Sequence, residues 1–268
     1  MCTGTTSILF LQPFDRVKTL MQDPATPKQM SSSVFRTFWF CVRTHGPLAL
    51  WRGMLPALTR SVPGVAVYFG SVEASTQLLR WHDARDSLTV AENASIGALA
   101  KMLPVALFMP ITVLKQRFES QSYQYRSMRE GATDIFRRHG FSGFYSGFWP
   151  TIAREALYSA VYLAVFRSSK NLLPIDWESS EFSSGSFRFA CATFSAATAC
   201  LCTQPLDMLK VQSQLFPDVY RSLWPSAKLI YSTFGPLAFF RGFVPRATRR
   251  TLVTALTWTL YEEITRRL

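Results

Sequence analysis

Pro13-Phe14-Asp15-Arg16-Val17-Lys18 opens a pattern that returns twice. The second copy is Pro110-Ile111-Thr112-Val113-Leu114-Lys115 and the third is Pro205-Leu206-Asp207-Met208-Leu209-Lys210, after intervals of 97 and 95 residues. A fixed period of this kind marks copies of one structural unit. In each copy a proline, an acid (Thr112 in the second) and a lysine fall within about one helical turn. The pattern predicts three kinked helices meeting around an axis, with their charges paired in a ring.

A second signature follows each of the first. Trp51-Arg52-Gly53, Tyr145-Ser146-Gly147 and Phe240-Arg241-Gly242 read aromatic-x-Gly, and each continues without a gap as Gly-x-x-Pro-x-x-x-Arg, through Pro56, Pro150 and Pro245 to Arg60, Arg154 and Arg249. Glycine followed by proline suits a helix start, because proline in the first turn loses no hydrogen bond. The chain divides into units 1–86, 87–178 and 179–268. Long helices are expected at 1–22, 56–80, 88–119, 150–172, 184–214 and 245–267, with connecting helices near 31–45, 127–139 and 220–234. Most of the long spans have the length to cross a hydrocarbon core of about 30 Å. Only twelve residues precede Pro13, fewer than precede the other two prolines. The first helix is therefore expected to begin short, and a carrier lacking transport for that reason is one alternative.

Composition narrows the class. The 268 residues are 48% hydrophobic and 14% aromatic, with a net charge of +12. A basic surface fits nucleic acid, anionic lipid or an anionic ligand. No basic arm, Cys/His finger or aromatic RNP-type strand accompanies the charge, which argues against nucleic acid. A soluble basic helical repeat on nucleic acid remains the contrasting reading; it predicts extraction by salt without detergent. Mean hydropathy of +0.09 suits helices apolar on a lipid side and polar on a watery side. The five cysteines form no CxxC pair and read as small core hydrophobes. With no Gly-rich phosphate loop, metal-ligand cluster or nucleophile elbow, the sequence points away from an enzyme, and neither a metal nor an organic cofactor is expected.

Three units of nearly a hundred residues with these motifs resemble the mitochondrial carrier family over the whole chain. Segments such as 61–70, 203–207 and 245–252 are similar to the branch of that family that moves glycine. The resemblance implies an all-α membrane protein: six transmembrane helices in a threefold pseudosymmetric barrel, with three short amphipathic helices on the matrix side. It implies glycine transport by alternating access across the inner membrane, supplying haem synthesis, with another small amino acid as the alternative cargo. A monomer is expected.

The family pattern assigns a matrix gate to Asp15, Lys18, Thr112, Lys115, Asp207 and Lys210. It implies Asp15–Lys115 and Asp207–Lys18 ion pairs, and a weaker hydrogen bond from Thr112 to Lys210. Gln22 and Gln214 sit where the family has bracing glutamines, and Glu119 holds that place in unit two. A weak cytosolic gate from Glu73, Glu262, Arg167 and Lys170 stands beside the reading that these are solvated helix ends.

Arg60, Arg154 and Arg249 share one register and are the implied substrate contacts. A zwitterionic amino acid needs a cation for its carboxylate, a task suited to arginine, and an anion for its ammonium, assigned to Glu155. Structural pairing of these arginines with acids is the competing reading. Gly64 and Tyr158 stand one turn on, Tyr68 and Tyr162 two turns on. For the tyrosines, lining a narrow cavity and helix packing stand level. Lys101 adds positive potential. Gly53, Gly147 and Gly242 resemble the family's cardiolipin sites, where helix N-terminal N–H groups receive phosphate.

Overall fold

A computed structural model describes residues 2–27, 31, 33–82, 90–170 and 181–267. Among these residues the chain forms ten α-helices and no strand. The long ones are α1 (Cys2–Gln22), α3 (Met54–His82), α4 (Val90–Glu119), α6 (Phe148–Lys170) and α10 (Phe243–Arg267). α7 (Glu181–Cys202) and α8 (Gln204–Leu215) together make the remaining column. The short helices are α2 (Val34–His45), α5 (Met128–Gly143) and α9 (Leu223–Phe234).

α1 packs on α3, α3 on α4, α4 on α6, α6 on α7 and α8, α7 on α10, and α10 back on α1. The six columns therefore close into a ring. At one end α1, α4 and α8 also touch one another, closing the middle.

Proline shapes these three helices differently. α1 runs through Pro13 and α4 through Pro104 and Pro110. Proline leaves the carbonyl four residues earlier without its helical donor. In α1 that carbonyl is Leu9, and the indole Nε1 of Trp51 donates to it at 2.9 Å. In the third unit the helix breaks instead. The expected continuous span 184–214 is two helices bent by 57° at Thr203, whose hydroxyl turns back to the Ala199 carbonyl at 2.7 Å.

Each unit holds its own small core where the helix beyond the proline meets the short helix. Val17 and Leu20 pack with Cys41, Val113 and Leu114 with Ile135, and Met208 and Leu209 with Ile230. Elsewhere large apolar side chains face outward, among them Phe10, Leu107 and Phe194 at 69%, 55% and 62% exposed. Among the described residues no single helix is apolar enough along its length to read as a conventional span, although the bent α7–α8 pair passes. The polar face that each long helix turns inward lowers its average.

Candidate functional site

α1, α4 and α8 carry the repeated acid and lysine on faces that meet. Asp15 Oδ2 lies 2.6 Å from Lys115 Nζ, and its Oδ1 lies 2.8 Å from Arg249 Nε. Asp207 repeats the arrangement: Oδ2 is 2.6 Å from Lys18 Nζ and Oδ1 is 3.7 Å from Arg154 Nε. The arginine layer and the acid–lysine ring are thus in direct contact. Arg154 and Arg249 each share an acid with a lysine of the ring.

The third sector differs from the expectation. Thr112 makes no bond to Lys210; its hydroxyl donates to the Phe108 carbonyl in its own helix at 2.9 Å. Threonine in a helix commonly satisfies its hydroxyl this way. Among the described residues neither Lys210 nor Arg60 has an ion-pair partner.

The positions below the ring are occupied unequally. Gln22 Nε2 donates to Asp207 Oδ2 at 3.4 Å and to the Arg241 carbonyl at 3.1 Å. Glu119 accepts from Gln12 and Thr19, both at 2.9 Å, and lies 3.3 Å from Lys115 Nζ. The Gln214 amide is buried with neither its nitrogen nor its oxygen hydrogen-bonded. It lies in the same third sector that lacks an acid.

Above the ring is a cavity of about 430 Å³. Arg60, Arg154, Arg249, Glu155 and Gly64 line it, as do Tyr68 and all six acid–lysine ring positions. Glu155 pairs with the Arg154 guanidinium beside it. Tyr158 lies outside the lining. It stacks on Tyr162 with centroids 6.1 Å apart and receives the Arg250 guanidinium on its face at 4.6 Å. Tyr158 and Tyr162 pack on each other, and Tyr68 lines the cavity. Seven cationic and four acidic side chains line the space.

Sequence reading missed Arg250 and Ser61, which also line the cavity. The signal was present: Ser61, Glu155 and Arg250 each follow the registered arginine by one residue. Also missed were buried arginines that tie neighbouring segments together. Arg16 donates to the Phe118 carbonyl at 2.6 Å, and Arg246 to Thr203 Oγ1 and Gln204 Oε1 at 2.7 and 2.9 Å.

Gly53, Gly147 and Gly242 all take positive φ. Their Cα faces meet the next unit rather than open space: a Cβ on Gly53 would lie 2.9 Å from Glu119 Cγ, one on Gly147 3.0 Å from Gln214 Cγ, and one on Gly242 3.2 Å from Lys18 Cγ. At the far end, Glu73 is exposed and accepts from Gln77 Nε2 at 2.9 Å, and Arg167 is exposed. The side chains of Lys101, Lys170 and Glu262 lie outside the described residues.

A closed ring of helices in three like units, around a charged cavity shut at one end, is the architecture of a membrane carrier. The family profile described as "Mitochondrial carrier protein" matches residues 1–83, 86–176 and 184–268. The chain belongs to that family, whose members are multi-pass proteins of the mitochondrial inner membrane. Among its relatives is a human protein named mitochondrial glycine transporter, 35% identical over 265 residues, which span 98% of this chain and 86% of the relative. A zebrafish (Danio rerio) protein named mitochondrial glycine transporter A is 33% identical, covering 98% of this chain and 91% of its own length. A mitochondrial glycine transporter from Emericella nidulans is 35% identical, at 98% and 85% coverage.

Proposed function

We propose that this carrier moves glycine across the inner membrane by alternating access, supplying the matrix for haem synthesis. The observation that carries this reading is the Arg154–Glu155 pair in the wall of the cavity, with Arg60 and Arg249 beside it. A zwitterion's carboxylate is held by an arginine fork and its ammonium by Glu155, which exchanges Arg154 for the ligand. The names of relatives at about 35% identity support glycine as that zwitterion. The cavity volume also admits alanine, serine or GABA, so a second small amino acid is the alternative cargo.

In this reading the six columns span the membrane, with apolar side chains on lipid and α2, α5 and α9 at the matrix interface. α2 suits that place, since Phe35 and Trp39 are exposed on it and Arg43 lies over the Trp39 ring. The Asp15–Lys115 and Lys18–Asp207 pairs form the matrix gate, braced by Gln22, and they break on each cycle. The Asp207 side chain is fully buried and the other three are largely so; in such pairs the cost of desolvation offsets much of the attraction, which keeps a gate reversible. Cardiolipin phosphates bind at the N–H groups that follow Gly53, Gly147 and Gly242. The carrier works as a monomer, since one chain encloses the whole cavity.

Glu155→Gln tests the ammonium site. In proteoliposomes its apparent KM for glycine rises at least about tenfold, the loss expected for one charged hydrogen bond. An unchanged KM moves the ammonium site elsewhere.

A further inference from the structure

The threefold repeat makes one sector of the ring predictable from the other two. Asp15 of the first unit holds Lys115 of the second and Arg249 of the third. Advance every partner by two units and the set becomes Asp207 with Lys18 and Arg154, which is what the structure contains. Advance the first set by one unit and the remaining triad is residue 112 with Lys210 and Arg60. Residue 112 is threonine, and among the described residues Lys210 and Arg60 are the two cations in these triads left without an ion pair. All three side chains line the cavity. The Thr112 hydroxyl is spent on the Phe108 carbonyl and carries no charge to offset them.

Two cations lining one cavity at membrane depth are costly unless an anion reaches them. The cavity's acids are engaged elsewhere: Asp15 and Asp207 in their own triads, Glu119 with Lys115, Glu155 with Arg154. The geometry points to the substrate itself as the third acid. We infer that the carboxylate of a small amino acid docks between Arg60 and Lys210 beside Thr112 and completes the ring. Lys210 then acts as a substrate-binding residue in place of a gate partner, and this deepens the glycine reading on which it rests. Glu155 lines the same cavity as Arg60 and Lys210 and is placed to take the ammonium. Two sectors are tied by the protein alone and the third by the ligand, so occupancy and closure are linked.

The test supplies the absent acid. Thermal unfolding of the purified full chain is followed for wild type, Thr112→Asp and Lys210→Gln. The ligands are glycine, glycinamide as the counterpart without a carboxylate, and potassium chloride at equal ionic strength. Wild type is stabilised by glycine and not by glycinamide. Thr112→Asp melts higher than wild type without ligand, by about 2 °C or more, and its glycine affinity falls at least about tenfold. Lys210→Gln loses the glycine response without the higher ligand-free midpoint. A glycine response in Thr112→Asp equal to that of wild type overturns the inference and leaves glycine transport standing. If glycine gives no response in wild type, the same comparison runs over alanine, serine, GABA and acetate. Loss of the responding carboxylate's effect in Thr112→Asp supports the docking site without glycine. No carboxylate acting more strongly on wild type than on Thr112→Asp overturns it.

Discussion

Asp15 holds two cations from two different units, and this limits what substitution can restore. A simple charge swap, Asp15→Lys with Lys115→Asp, recreates one pair but sets the new lysine against Arg249, 2.8 Å from the original carboxylate. We expect the double variant to transport at least about tenfold more slowly than wild type, with no rescue relative to either single variant. Full rescue in a proteoliposome assay would mean that Arg249 does not share Asp15. Gly147 tests the turn. Its φ of +72° suits glycine, and an added Cβ would sit 3.1 Å from the Lys210 carbonyl oxygen. Gly147→Ala should cost about 1–3 kcal/mol, read as a lowered midpoint of thermal unfolding. A neutral effect would show that the seam between units two and three gives way freely.

The three units are joined unevenly by their helices. The seam between α1 and α4 is the most heavily bonded. Beyond the Asp15–Lys115 pair, Asp23 just past α1 accepts from the Ser120 hydroxyl, from the backbone N–H groups of Gln121 and Ser122 at 2.8 and 3.2 Å, and from the Ser122 hydroxyl at 2.8 Å. The α4–α8 seam has no matching carboxylate among the described residues; Arg117 Nε donates to the Gln214 carbonyl at 3.3 Å and Tyr123 to the Leu215 carbonyl at 2.7 Å. Removing Asp23 strands several buried donors. Asp23→Ala should therefore destabilise by about 2–3 kcal/mol, and a smaller loss is expected from Tyr123→Phe. Equal losses on thermal melting would contradict the asymmetry. Within a unit, Ile135 is fully buried between α4 and α5, and Ile135→Ala should cost about 2–5 kcal/mol.

Over the whole molecule, the repeat made much of the fold legible before any coordinates. Six columns and three short helices follow from two motifs in phase, because proline, glycine and registered arginine each fix a local geometry. The 57° break at Thr203 was not legible, since Pro13 and Pro110 sit in equivalent places without breaking their helices. In the first unit the freed Leu9 carbonyl is met by Trp51, a tertiary contact that the spacing of the motifs does not show. In the site, the two acid–lysine pairs followed from the family pattern that the triplicated motif resembles. The sharing of each acid with an arginine did not, because it depends on how closely two layers of side chains approach. Asp23 escaped notice because it occurs once and no repeat announces it.

The central claim is that this cavity carries glycine. The direct measurement is uptake of labelled glycine into liposomes containing the purified chain, with unlabelled glycine, serine, alanine and GABA as competitors. The account predicts saturable uptake that glycine itself suppresses most strongly. Uptake no greater than in protein-free liposomes, or stronger suppression by one of the other three, would contradict it.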